Sequence, residues 1–427
     1  MNRELLPDKK ARTRKYIRWG RWGLYAVVLM ISFFFDQWDQ ILNMRECDRP
    51  SLAARMWYQR ITMIGYRKPR PHFVRLVVIS PPAVSNKCEG REFMAALLRR
   101  LAVLCPSLIV IDIDYSSQFC AESSTDKQAS ADLKQAVADV SRTVPIVIGQ
   151  WSDTQEELED HREKDLLRLL GEAGIRMKAK EMVLSSNLVA ANGSSVEYGL
   201  LRMDCDNRRI PLFWSGYERI GARFEKRERV PSLVLAAAQV SDPETAKHLA
   251  ELWSQDKHPL TNFVPESAFK PITGESVICG SIGANFHDCP AQDNRELGLR
   301  GKVVMIGQVI GDDHDSVLGK KIPGVVLQAN YLESLLDDRY FRSLNLVFEL
   351  GLTIACFVIV ELIFRFSASP FFGFLYSAAF VMLLWGICYI AFLAWGYFIF
   401  LWINTLLAVI ATLLSSSSRS TPPTTPT

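Results

Sequence analysis

Two periods of apolar residues alternate along the first half of the chain. Residues 75–80 and 108–113 are short β-branched apolar runs, which are typical of buried strands, and a third run begins at 145–149. Residues 90–105 and 131–140 instead place apolar side chains three or four positions apart, which predicts helices. Strands and helices that alternate at these lengths favour right-handed crossovers, so we predict an α/β domain with a mainly parallel sheet flanked by helices.

The pattern is less regular after residue 150. The stretch 154–181 is dense in charge and predicts a surface helix, and 183–192 predicts a further strand. Residues 231–240 predict a helix, and 277–280 predict a brief strand. No internal repeat is present.

The most informative stretch is 301–336, which joins this domain to a strongly apolar C-terminal part. Residues 303–307 form a continuous apolar run that ends in a glycine and predicts a buried parallel strand. An acidic loop follows, then Pro323 and Gly324, and then a predicted amphipathic helix over 325–336. The apolar stripe of this helix consists of Val325, Ala329, Leu332 and Leu336.

Four apolar segments are candidates to cross a bilayer. The first, 22–38, follows eight Lys or Arg residues between positions 3 and 21, against only Glu4 and Asp8. This charge bias predicts a cytoplasmic N-terminus and an uncleaved anchor. A cleaved signal peptide is the alternative, but no small-residue cleavage site follows Phe35. Further membrane helices are predicted at 346–364, 371–392 and 397–414.

The chain is therefore predicted to have five parts. They are a basic cytoplasmic N-terminus (1–21), a membrane anchor (22–38), an extracytoplasmic domain (39–344), three membrane helices (345–414) and a disordered cytoplasmic tail (415–427). We predict a bacterial multi-pass protein of the inner, or plasma, membrane whose large domain lies outside the cytoplasm.

Charge and cysteine content narrow the function classes. The formal net charge of +3 is small for 427 residues, so no attraction to nucleic acid is expected. Seven of the nine cysteines lie in the predicted external domain, where oxidising conditions allow pairing. The candidate pairs are Cys88 with Cys120 and Cys279 with Cys289, and unpaired thiols are the alternative. No Cys-x-x-Cys spacing typical of zinc sites is present, and we predict neither a metal nor another cofactor.

Two acidic groups are the candidate ligand-binding residues, because each follows the end of a predicted strand, where open α/β sheets bind ligands. The first group is Asp112 and Asp114, and the second is Asp312, Asp313, His314 and Asp315. Such side chains could hold an ion, but contiguous side chains rarely converge, so helix capping or simple solvation is the alternative for both groups. No Gly-Lys-Ser/Thr follows the strand, so ATP hydrolysis is not expected, and we predict no catalytic residue.

The order of features in 301–336 resembles the C-terminal motif of the CHASE type-2 domain, an extracytoplasmic sensory domain. That motif has a lysine-initiated strand, an Ile-Gly turn, an acidic loop, Pro-Gly-Val, and a helix with Ala and paired leucines before membrane spans. The matching residues are Lys302, Ile306, Gly307, Asp312 to Asp315, Pro323 to Val325, Ala329, Leu335 and Leu336. The order of strands and helices in the first half is also similar to this family, so the resemblance covers about 75–336.

The resemblance implies a membrane-anchored sensor that binds a small ligand or senses a condition of the cell envelope. Many family members carry a kinase or nucleotide cyclase, whereas this sequence has neither. We therefore predict a non-enzymatic chain that passes its signal through membrane helices to a separate cytoplasmic or membrane partner. Two other classes stay open: a structural or assembly protein of the envelope, and an envelope hydrolase that uses the acidic loop with a metal. A homo-oligomer also stays open.

Overall fold

The computed structural model of the chain contains two compact units, one formed by 47–50 and 65–340 and the other by 1–46, 51–64 and 341–427. The structure describes residues 23, 71–79, 89–115, 124–154, 164–177, 181–184, 195–203, 210–220, 223–244, 247–249, 261, 264, 266–278, 297–309, 313–315, 321–338, 340, 342–343, 346–395, 397–398, 405, 408–410 and 412. The predicted anchor 22–38, apart from Gly23, and the four candidate disulfide cysteines lie outside these residues.

The elements of the larger unit alternate as an α/β domain. In chain order they are β1 (Val74–Ile79), α1 (Glu89–Leu104), β2 (Leu108–Asp112), α2 (Ser124–Val140), β3 (Ile146–Gln150), β4 (Ser152–Thr154), α3 (Lys164–Glu172), β5 (Glu181–Leu184), β6 (Val196–Leu200), β7 (Phe213–Ile220), β8 (Arg223–Pro231), α4 (Leu233–Ser241), α5 (Glu266–Phe269), β9 (Ile272–Thr273), α6 (Gly274–Ile278), β10 (Val303–Gln308), β11 (Asp313–Asp315), β12 (Lys321–Pro323) and α7 (Gly324–Leu336).

A six-stranded sheet forms the centre of this unit, with strand order β6-β3-β2-β10-β1-β9. Every neighbouring pair is parallel. Strand β10 therefore lies between β1 and β2, and residue 303 pairs with both residue 74 and residue 108. Such a central strand is buried on both faces, and this explains its unbroken apolar sequence. The predicted parallel sheet is confirmed.

Helices cover both faces of this sheet. On one face α1 and α2 pack on alternate side chains of β1, β2, β3 and β10, for example Val77, Ile109, Ile146 and Val304. On the other face α4 packs on β2, β3 and β6, and α7 packs on β1, β10 and α4. The result is a three-layer domain whose core lies on both sides of the sheet.

A second sheet has four strands in the order β4-β5-β7-β8. Its first strand, β4, follows β3 of the central sheet after one residue. Strands β4 and β5 are antiparallel, β5 and β7 are parallel, and β7 and β8 form a hairpin. Leu170 of α3 packs on Val183 of β5, so this sheet has a small core of its own. Its strand β5 occupies the first residues of the strand predicted at 183–192.

Three local predictions are wrong. A strand was predicted at 277–280, but residues 274–278 form helix α6. The prediction failed because a short apolar run does not distinguish a strand from a buried helical turn. The predicted acidic loop is in part a strand, since Asp313–Asp315 pairs with Lys321–Pro323 in a hairpin. Helix α7 is not amphipathic on the surface: every residue from Gly324 to Leu335 is buried. Three of its polar side chains form hydrogen bonds to the backbone of other segments, so they do not form a face that is exposed to solvent.

The smaller unit contains β13 (Arg342–Ser343), α8 (Leu346–Phe366), α9 (Pro370–Trp395) and β14 (Tyr397–Phe398). Helices α8 and α9 pack together, with Val360 and Val381 in one buried cluster and Phe364 lying over Gly373. The helices predicted at 346–364 and 371–392 are therefore present. Within the described residues one segment, Phe371–Ala391, is long and apolar enough to cross a membrane. The other predicted spans stay predictions, and most of 397–414 lies outside the described residues.

Candidate functional site

The carboxyl ends of the central strands bring the first predicted group of acidic residues together with β10. Asp112 is the last residue of β2 and lies opposite Gly307 of β10. A Cβ atom at Gly307 would lie 2.5 Å from Cγ2 of Val325 and 3.2 Å from Cβ of Asp112. Only glycine therefore fits here, and the start of α7 packs directly against the strand end beside Asp112.

Asp114 links two neighbouring strand ends. Its carboxylate accepts the backbone N–H of Trp151 at 3.2 Å, immediately after β3. Trp151 is the residue between β3 of the central sheet and β4 of the second sheet, and its half-exposed indole donates to Asp153 at 2.9 Å. Asp114 thus holds the point at which the chain leaves one sheet for the other.

A buried arginine that the sequence did not indicate lies at the same edge. Arg91, in the first turn of α1, is 2% exposed, and its guanidinium donates to the hydroxyl of Ser130 in α2 at 2.5 Å. Tyr115 follows Asp114, and burial raises the pKa of its phenol well above the usual range, although the charge of Arg91 acts to lower it. A buried cation, a neutral phenol and two carboxylates at one sheet edge can bind a small polar molecule.

The second predicted group is only partly described. Asp312 lies outside the described residues, and Asp313, His314 and Asp315 are described as backbone strand β11. His314 pairs with Ile322 of β12 in the hairpin that precedes α7. Among the described residues, no three His, Cys, Asp or Glu side chains gather as a metal site would require. A role for 312–315 in ligand binding stays a prediction.

Helix α7 carries three buried polar side chains that each bind a different chain segment. The amide of Gln328 donates to the carbonyl of Leu201, just after β6, at 3.0 Å. The side-chain oxygen of Asn330 accepts the backbone N–H of Val264 at 2.5 Å, and its amide donates to Val326 at 2.9 Å. The helix therefore positions segments that are distant in sequence.

Glu333 is the third of these side chains and binds at the amino ends of the central strands, opposite to their carboxyl ends. Its carboxylate, 3% exposed, accepts the backbone N–H groups of residues 72–74, with 2.7 Å from Oε2 to the nitrogen of Val74. Lys302 donates from Nζ to the carbonyl of His72 at 2.5 Å. Converging N–H groups of this kind stabilise a buried negative charge. The residues that begin β1 and β10 are thus tied to the last helix of the domain.

These contacts explain which residues the sequence revealed and which it did not. Asp112 and Asp114 were predicted because they follow a recognisable strand. Arg91, Gln328, Asn330 and Glu333 looked like ordinary surface residues of helices. Their partners lie between 39 and 261 positions away in sequence, for Arg91 with Ser130 and for Glu333 with His72, so no local pattern reports them.

The chain thus consists of a three-layer α/β domain, with polar side chains at the carboxyl ends of its central strands, and of apolar helices that follow it in sequence. The sequence model of the CHASE2 domain matches residues 25–363, and the chain belongs to the CHASE2 domain family. CHASE2 is a family of extracellular sensory domains, and this supports a sensory role. The match extends beyond 75–336 in both directions and includes most of α8. No curated protein and no solved structure gives a significant match to the chain.

Proposed function

We propose that this chain is a membrane-anchored sensor that binds a small polar ligand, or an ion, at the carboxyl edge of its central sheet. Asp112 and Asp114 contact the ligand there, and residues 312–315 contribute from the hairpin that follows β10. The chain carries the signal through its membrane helices to a separate output protein. Its large domain lies outside the cytoplasm, in a multi-pass protein of the inner membrane.

One observation supports this proposal above the others: α7 contacts the central strands at their carboxyl ends and at their amino ends. At its start Val325 packs on Gly307 beside Asp112. About two turns later, Glu333 binds the residues that begin β1. A helix of 13 residues is about 20 Å long, which is enough to cross the sheet. A rigid, fully buried helix moves as one body, so a displacement at the ligand edge reaches the opposite edge.

The hydrogen bond of Asp114 supplies a trigger. A ligand that takes up this carboxylate competes for it with the N–H of Trp151, which lies 3.2 Å away. Loss of that bond frees the chain between β3 and β4.

The connection from α7 to α8 spans only residues 337–345, so the chain between the domain and the first C-terminal membrane helix is short. A short connector transmits a displacement that a long flexible one would absorb.

The test uses the full chain in native membranes and a flexible Gly-Ser insert after Ser343. Deleting α7 is unsuitable because this helix is part of the core. We expect the wild-type chain to co-purify with a kinase, a cyclase or another signalling protein whose activity changes with Asp114→Asn. With the insert the partner should still be recovered, but its activity should no longer respond to Asp114→Asn. The matched control is the same insert after Gly174, in an exposed turn.

Two outcomes would contradict the proposal. Recovery of envelope scaffold proteins alone would favour the structural or assembly alternative. A partner whose activity responds equally with and without the insert at Ser343 would show that the connector does not transmit the signal.

A further inference from the structure

The turn between α8 and α9 contains an aromatic cavity. The cavity has a volume of about 460 Å³ and is lined by Ile363, Phe366, Ser367, Ala368, Phe372 and Tyr376. The rings of Phe372 and Tyr376 stack at a centroid distance of 6.3 Å, and Phe366 is 79% exposed. Exposed aromatic side chains at the end of a membrane-spanning segment are typical of the interface between hydrocarbon and headgroups.

Arg365 brings a positive charge close to Phe366, one of the residues that line this cavity. Its guanidinium lies 5.8 Å from the centroid of the Phe366 ring, which lines the cavity. Within the part of the chain that the structure describes, Arg365 forms no ion pair. Glu361 lies one helical turn before Arg365, and the sequence from 366 to 395 contains no charged residue. An exposed arginine without a carboxylate partner is suited to bind an anionic oxygen group in a bidentate manner.

The neighbouring backbone adds to the attraction for an anion. Helix α9 has 26 residues and begins at Pro370, close to Arg365, and no acidic residue lies in its first turn. The positive end of its dipole is therefore not neutralised by a side chain. The hydroxyl of Ser369 lies in the same turn, accepts the N–H of Phe372 at 3.4 Å and can donate its own proton to an anion. The hydroxyl of Ser367 already donates to the carbonyl of Ile363. The positive charge of Arg365 and the apolar lining of the cavity therefore lie close together.

We propose that this turn is a binding site for one anionic phospholipid, with the phosphate at Arg365 and an acyl chain in the aromatic cavity. The charge complementarity selects an anionic headgroup, and the apolar lining selects a molecule with a hydrocarbon chain. The inference rests on the membrane insertion of α9 that the proposed function includes, but it does not depend on any ligand or signalling partner.

The experiment measures which lipid stays bound to the full chain. The purified protein is reconstituted in an equal mixture of phosphatidylglycerol and phosphatidylcholine, extracted in mild detergent and examined by native mass spectrometry. We expect the wild-type chain to retain phosphatidylglycerol about tenfold more than phosphatidylcholine, as one charged hydrogen-bonded pair would give. Arg365→Gln should reduce the ratio to about twofold or less, and Phe372→Ala should reduce retention of both lipids. Arg300→Gln, an exposed arginine in the other unit, should leave the ratio unchanged.

The outcomes separate the two proposals. A preference that persists in Arg365→Gln would overturn the lipid site and place the retained lipid elsewhere, for instance on the basic N-terminal residues. Equal retention of both lipids by the wild-type chain would overturn it as well, while leaving the sensory function untouched. If the wild-type chain did not insert into vesicles, as judged by flotation, the membrane topology and the lipid site would both be wrong.

Discussion

The first prediction concerns the contribution of Glu333 to stability, because its carboxylate accepts the backbone N–H groups at the start of β1. We expect Glu333→Gln to destabilise the larger unit, because the amide keeps one acceptor oxygen and replaces the other with an N–H₂ donor. That donor would face the backbone N–H groups of Phe73 and Val74, which now lie 3.1 and 2.7 Å from Oε2. The buried N–H of Val74 would then lose its acceptor, whereas the N–H of Phe73 would keep Oε1 at 3.2 Å.

The size of the effect follows from these contacts. Leaving a buried donor without an acceptor costs about 1–3 kcal/mol. Part of this cost is offset, because a neutral amide is less expensive to bury than a carboxylate. We therefore expect the free energy of unfolding to fall by about 1–3 kcal/mol, which corresponds to a melting temperature lower by about 2–5 °C in a unit made of residues 47–50 and 65–340.

Two measurements check this prediction on the full chain in detergent. Thermal unfolding followed by near-ultraviolet circular dichroism gives the change in melting temperature. Hydrogen exchange at Phe73 and Val74 shows whether these amides lose protection, as replacement of Oε2 requires. The control is Glu244→Gln, an exposed position where we expect a change within about 0.5 kcal/mol. A Glu333→Gln variant as stable as this control, with unchanged amide protection, would refute the reasoning.

Three further predictions concern packing, a buried amide and a buried phenol. Gly307→Ala should cost about 1–3 kcal/mol of unfolding free energy, because its Cβ would meet Val325 at 2.5 Å, and much of this loss should disappear in the double variant with Val325→Ala. Asn330→Ala should cost about 1–3 kcal/mol in thermal unfolding, because it removes the acceptor of the Val264 N–H. Burial raises the pKa of Tyr198 to about 12, above the ordinary value of about 10, so stability is complete below pH 10 and declines from there towards pH 12. The melting temperature of Tyr198→Phe should therefore fall less than that of the wild-type chain over this range.

Each of these predictions has an outcome that contradicts it. Strictly additive effects of Gly307→Ala and Val325→Ala would mean that the two residues do not compete for one space. An Asn330→Ala variant with wild-type stability would show that water replaces the lost acceptor. Identical pH dependence of the wild-type chain and Tyr198→Phe would place the phenol in solvent.

Residue spacing alone was enough to predict the central α/β architecture. The apolar runs at 75–80, 108–113 and 145–149 correspond to β1, β2 and β3 within one or two residues. This worked because a strand buried on both faces must be apolar at every position, whatever its neighbours are. The motif in 301–336 likewise located β10 and α7, and the family that it resembled is the family that the chain belongs to.

Strand order could not be predicted in the same way. Nothing in the sequence of β10 shows that it lies between β1 and β2, because pairing between parallel strands depends on contacts across roughly 200 residues. The second sheet was missed because β4 and β5 are short, β8 is dense in charge, and β5 pairs with β7 although β6 lies between them in sequence.

The sequence by itself determined the alternating elements, the membership of the CHASE2 domain family and the two carboxylates at the end of β2. These properties depend on local periodicity and on residues adjacent in the chain. Only the tertiary structure decided that α7 is buried on every side, that Glu333 binds the start of β1, and that Arg91 is buried and donates to Ser130 of α2. A polar residue on a helix has the same sequence pattern whether water or a distant backbone N–H satisfies it, and only the folded chain distinguishes the two.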